Sequence, residues 1–214
     1  KKFGFCTAVS DFDEILQDEK VNTIVIATRH NSHAEFVEKG LRAHKNIFVE
    51  KPLAINLDQL KRIEAVYKEN EISNNTAHLM VGFNRRFAPH TKKMMELLAG
   101  RVEPLSIIMT INAGYIPLDH WTQDQVVGGG RIIGEGCHFV DLMRFIVGHD
   151  IQSISASAMG DHGQDRWGED KVSITLTFDD GSLGIIHYFA NGAPTFPKER
   201  IEVFTQGKVL QLDN

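Results

Sequence analysis

Val21-Asn22-Thr23-Ile24-Val25-Ile26-Ala27 is a β-branched run too short for a helix, and it reads as a buried strand. Thr28-Arg29-His30-Asn31-Ser32-His33 follows, with Ser32 and Glu35 at capping-box spacing, so a helix is expected from there to about residue 43. Ala34, Val37 and Leu41 recur along it at helical spacing. Asn46-Ile47-Phe48-Val49 is a second apolar strand, Asn56 and Gln59 cap a helix carrying Leu60, Ile63, Val66 and Tyr67, and 79–83 is a third strand. A short helix over 11–18 precedes the series. Strand alternating with helix in this order specifies a parallel sheet, whose ligands sit outside the carboxyl ends of its strands. The segments 28–33, 50–53 and 84–87 therefore gain interest by position.

Beyond a helix over 89–99 the grammar changes. Strands are expected at 105–113, 151–158, 172–178, 182–190 and 200–205, with Asp179-Asp180-Gly181-Ser182 as a hairpin turn. One long helix is expected over 135–147, with Gly148 as its C-cap. The fold class is thus α/β: part of a Rossmann-type parallel sheet over 1–83, then an α+β domain with an open, mainly antiparallel sheet over 84–214. The 214 residues are 42% hydrophobic and 24% charged, ordinary for a globular chain and wrong for disorder. No apolar run approaches the about 20 residues that span a bilayer, and no signal peptide is visible. A net charge of −5 argues against a nucleic-acid partner, and the two cysteines, Cys6 and Cys137, suit a reducing, cytoplasmic compartment.

Three constellations could carry chemistry. Glu50-Lys51-Pro52 closes a strand, and Pro52 restricts Lys51 to extended backbone at the mouth of the ligand crevice. Either Lys51 points its ammonium inward or it is a solvated lysine beside a turn proline. The run from Gly128 to His138 holds five glycines in nine positions, at the start of the expected helix. It could bring backbone close to a ligand and favour anions. His138 has Glu135 and Asp141 three residues to either side; a carboxylate beside an imidazole would fix its tautomer, as a general base requires, and a capped helix start with a satisfied histidine is the competing reading. In Gly82-Phe83-Asn84-Arg85-Arg86-Phe87 the paired arginines could hold an anion or form surface ion pairs. No four-ligand metal set and no H-E-x-x-H is present, so no metal is expected.

Ala27-Thr28 with His33, then Glu50-Lys51-Pro52-Leu53-Ala54, then residues 82–87, then the glycine run ending in His138, occur in an order and spacing that resembles the Gfo/Idh/MocA family, the relatives of glucose-fructose oxidoreductase and inositol dehydrogenase. The resemblance covers most of the chain. It implies an NAD- or NADP-binding Rossmann domain and a C-terminal α/β domain that binds a sugar, cyclitol or nucleotide-sugar and forms homo-oligomers through its open sheet. By the same resemblance Lys51 sits near the nicotinamide and the reacting hydroxyl, with Lys51–Pro52 a candidate cis peptide. Thr28, His33, Glu50 and Pro52 contribute to the cofactor cleft, His138 is the catalytic histidine, and Arg86 and Trp121 lie on the substrate side.

The chain also departs from that pattern. The family's signature has an aspartate four residues before the histidine, where this chain has Gly134; Glu135 is adjacent but displaced by one. The run Gly-Gly-Gly-Arg-Ile-Ile-Gly-Glu-Gly-Cys-His looks like the branch found in bi-domain oxidoreductases. No G-x-G-x-x-G occurs, so the expected reading is a fragment lacking the opening of its Rossmann domain and of little activity as it stands. Two alternatives accompany it: a relative that uses the nicotinamide transiently to cleave glycosidic bonds, and a non-catalytic sugar-binding or dimerisation module.

Overall fold

The computed structural model describes residues 4–73, 77–160 and 170–214, so Trp167 lies outside the described residues. The chain divides into two compact units, Lys1–Gly82 and Phe83–Asn214.

In the first unit, β1 (Thr23–Ile26), β2 (Asn46–Val49) and β3 (Leu79–Val81) form a parallel sheet in the order β1-β2-β3. The register places Ile24 opposite Ile47 and Ile26 opposite Val49. After α1 (Phe12–Gln17), the crossovers are α2 (His30–Arg42) and α3 (Leu57–Ile72). Ile24, Ile26, Ile47 and Val49 are buried with Ala34, Val37 and Leu41 of α2 and Ile63 and Val66 of α3. Burial of each such side chain contributes roughly 1.5–3 kcal/mol. β1, expected as a buried strand, instead alternates, with Val25 exposed; Met80 of β3 is also exposed. Asn56 caps α3 as the spacing predicts, its side chain accepting from the Gln59 amide at 2.9 Å. The capping box at Ser32 does not form. The helix starts two residues earlier, at His30, and the Ser32 hydroxyl turns back to donate to the Arg29 carbonyl at 2.9 Å.

The second unit opens with a 3₁₀ turn, Asn84–Phe87, and α4 (Pro89–Leu98). Its six strands are β4 (Ser106–Asn112), β5 (Ile151–Ala158), β6 (Lys171–Phe178), β7 (Leu183–Phe189), β8 (Glu199–Thr205) and β9 (Lys208–Asp213). They lie in the order β5-β6-β7-β4-β8-β9, and every neighbouring pair is antiparallel except β4 with β7. The inward residues of β4, β6, β7 and β8 bury against Phe139, Leu142, Met143 and Ile146 of α5 (Cys137–Val147) and Met94 and Leu98 of α4. A Cβ at Gly184 of β7 would lie 2.0 Å from Met143 Sδ, so the glycine lets helix and sheet meet there. Gly148 ends α5 in the left-handed conformation, φ 77°, with its amide on the Arg144 carbonyl. Among the described residues no helix is long and apolar enough to cross a membrane.

Candidate functional site

Within the first unit, three of the predicted site residues, Thr28, Glu50 and Lys51, stand at the carboxyl edge of the sheet. The Glu50 amide donates to the Ile26 carbonyl at 2.9 Å and the Gly82 amide to the Val49 carbonyl at 2.8 Å, so the parallel ladder runs on past the last strand residues. Glu50 is exposed and Lys51 half-buried, and the Lys51–Pro52 peptide is cis. A Cβ at Gly82 would stand 3.0 Å from Glu50 Oε2, which makes this glycine a space for that carboxylate. Thr28 is exposed and shares a 2.7 Å hydrogen bond with the Ser32 hydroxyl. No G-x-G-x-x-G turn occurs in the 214 residues.

His33, 0% exposed, and Pro52 are both buried. Nδ1 faces the Pro52 carbonyl at 2.8 Å and Nε2 the Thr28 carbonyl at 3.0 Å.

In the second unit the first glycine of the run packs against its own chain. A Cβ at Gly128 would lie 2.5 Å from both Thr122 Cα and the Trp121 carbonyl, so Gly128 lets the chain press on the segment holding Trp121. Gly129 and Gly130 turn the chain with φ of 75° and 77°. A π-helical turn, Ile132–Gly136, then leads directly into α5. His138 is therefore inside continuous helical backbone, not in the free first turn anticipated, and the helix dipole offers no anion site there. Its ring packs edge-on to Phe83, centroids 6.1 Å apart. Gly128→Ala is expected to push the Trp121 segment away and to destabilise the unit by about 1–3 kcal/mol; thermal melting and a shift of the tryptophan emission check it.

Both carboxylates flanking His138 are bound elsewhere. Arg86 reaches Asp141 in a two-pronged pair, Nε to Oδ2 at 2.7 Å with the second prong on Oδ1, and stacks over Phe145. Arg85 grips Glu199 in the same way and lies over Phe139. The ion-pair reading of these arginines is the one the structure favours: they fasten the 3₁₀ turn to α5 and β8. Glu135 joins a cluster that the sequence did not disclose. Its Oε2 accepts from Arg131 at 3.0 Å and from the Tyr188 hydroxyl at 2.5 Å, while Lys198 pairs with Oε1 at 3.1 Å. Burial alone would raise the Glu135 carboxyl, but the hydrogen bond from Tyr188 and the charges of Lys198 and Arg131 outweigh it and hold it at about 2. Burial and the same carboxylate push the Tyr188 phenol far up, so it remains a donor. Arg131 also donates to the Gly114 and Ala113 carbonyls at 2.6 and 2.9 Å, tying in the chain that leaves β4. The half-buried Trp121 lies in that same connection, between β4 and the π turn.

A parallel sheet with strand–helix crossovers is thus joined in sequence to an open-sheet unit that carries His138. Residues 1–78 match the model described as an oxidoreductase family with an NAD-binding Rossmann fold. Residues 88–210 match the GFO/IDH/MocA C-terminal domain, and the chain belongs to the Gfo/Idh/MocA family. It is 28% identical over 217 residues to the myo-inositol 2-dehydrogenase of Thermotoga maritima, covering 98% of this chain and 62% of that protein. The crystal structure of a probable dehydrogenase from Thermotoga maritima superposes with a TM-score of 0.79 at 29% identity, over 100% of this chain and 63% of that one. Levoglucosan dehydrogenase, solved with NADH and levoglucosan, shares the fold: TM-score 0.79 at 23% identity, over 99% of this chain and 59% of that one. The chain thus spans about three fifths of the length of these relatives.

Proposed function

We propose that the chain belongs to an enzyme that moves a hydride between NAD(P) and a hydroxyl-bearing carbon of a sugar, cyclitol or nucleotide-sugar. The observation that carries this reading is the Glu50-Lys51-Pro52 loop at the carboxyl edge of the parallel sheet, in a chain whose two family models are those of the oxidoreductase. The relatives named for inositol and levoglucosan support the polyol class.

Residues 1–82 serve as the nicotinamide-end part of the dinucleotide unit, and 83–214 as the substrate unit. Thr28 and Glu50 would hold the cofactor, which when bound supplies the hydride acceptor. The Lys51 ammonium donates a hydrogen bond to the reacting hydroxyl oxygen and stabilises negative charge developing there. His138 accepts the hydroxyl proton as its general base. Glu135, which stands beside the position of the family's aspartate, is withheld from this work by its three partners. Homo-oligomers through the open face of the second unit's sheet are part of the same proposal; Leu183, Ile185 and Phe189 line that face, and light scattering reads the mass.

The test is an NADH titration of the chain, followed by energy transfer from its tryptophans, beside an amino-terminally extended form that contains a glycine-rich phosphate turn. Saturable binding by the extended form supports the reading. Binding by neither form overturns it and leaves a sugar-binding module.

A further inference from the structure

We infer that His33 is a positioning residue for Lys51, a clamp that fixes where the lysine leaves the sheet. This rests on the reading of Lys51 as the hydroxyl-facing lysine. The backbone on either side of Lys51 is pinned. On the amino side, the Glu50 amide is held by the Ile26 carbonyl of β1 at 2.9 Å. On the carboxyl side, the Pro52 carbonyl faces His33 Nδ1 at 2.8 Å, and Pro52 is itself buried with its φ fixed by its ring.

The other nitrogen of the same ring faces the Thr28 carbonyl at 3.0 Å, so one side chain ties the loop after β1 to the loop after β2. A carbonyl oxygen only accepts, so the ring donates to whichever of the two faces its N–H and holds the other at contact distance. His33 is anchored in turn: it stands in the first turn of α2, among Ala34 and Val37 of the same core. Further along, the Ile55 amide donates to Gln59 Oε1 at 2.9 Å, fixing the far end of the loop to α3. Leucine at this place would keep the buried volume and make neither polar contact. What the histidine adds is the direction in which the backbone departs at Lys51.

The experiment observes Lys51 directly in the cofactor-free chain, so its failure is separate from failure of the NADH titration. Lysines are reductively methylated with ¹³C-formaldehyde, and the Lys51 resonance is identified by its loss in Lys51→Arg. A Lys51 resonance distinct from those of exposed lysines is expected in the unaltered chain. In His33→Leu, which keeps the buried volume, it should collapse onto the exposed-lysine envelope while other lysine resonances stay in place. His33→Gln, with an amide that reaches only one of the two carbonyls, replaces it if the leucine variant does not fold, and the same collapse is expected. A Lys51 resonance already among the exposed lysines in the unaltered chain, or one that stays put in the folded variant while only the melting temperature falls, overturns the inference and leaves His33 a core residue.

Discussion

Replacing Glu135 by alanine is expected to destabilise the second unit by about 3–5 kcal/mol, the range for removing one partner of a buried ion pair. Arg131 is 3% exposed, and its carbonyl partners at Ala113 and Gly114 satisfy hydrogen bonds without balancing its charge. Asp170, 3.9 Å away, is the remaining carboxylate and moderates the loss. The Tyr188 hydroxyl is orphaned at the same time. Glu135→Gln keeps an acceptor for the phenol and should recover part of the loss, which separates hydrogen bonding from charge. Denaturant unfolding followed by far-UV circular dichroism reads both variants.

The same cluster sets a pH dependence. The Glu135 carboxyl is depressed in the folded chain, to about 2 from an ordinary 4.5. A depressed carboxyl stabilises above its unfolded value, and that stabilisation is lost as pH falls from about 4.5 toward about 2. The shift amounts to up to about 3 kcal/mol. Acid unfolding of Glu135→Gln should therefore be flatter over that window than that of the unaltered chain; equal slopes would remove Glu135 from the acid-sensitive groups.

The alternation that specifies the parallel sheet is readable because each strand is a short, mainly apolar run between helical periods. Gly148 and the Asp179–Ser182 hairpin were readable because turn chemistry is local; the Phe178 amide donates to the Ser182 carbonyl at 3.0 Å as that hairpin requires. The last strand, β9, carries no comparable local signal. Its turn is Gln206-Gly207, both with positive φ, of 48° and 70°, and glutamine is a rare first residue for such a turn. The site was legible only in part. Lys51 and His138 stand in recognisable runs, but the Arg131–Glu135–Tyr188–Lys198 cluster joins a π turn to β7 and to the chain before β8. No periodicity announces such a meeting. Arg86 read as well for an anion as for an ion pair until Asp141, 55 residues away, was seen to fill both of its prongs.

In the cofactor-loaded enzyme, Lys51→Ala and His138→Ala are each expected to lower kcat by about 10²- to 10⁴-fold, the scale of general acid–base and charge stabilisation. Turnover on a substrate drawn from a cyclitol and sugar panel, followed by NADH absorbance, measures it. Lys51→Arg should not restore activity, because a planar guanidinium cannot occupy the place of a compact ammonium beside a hydroxyl oxygen. Glu135→Gln, tested as a stable folded protein, should retain kcat within a few-fold, since its carboxylate is committed to Arg131, Tyr188 and Lys198. The double variant Lys51→Ala/His138→Ala discriminates further. If both side chains act on one proton transfer, the second removal adds little, because residues that work as a unit lose their effect together. If the two losses multiply, the lysine and the histidine serve separate steps, and the division of labour proposed above fails. A single variant that leaves kcat unchanged would fix the fault on that residue, and in the case of His138 would return the proton to a group outside the helical turn where the family's histidine stands.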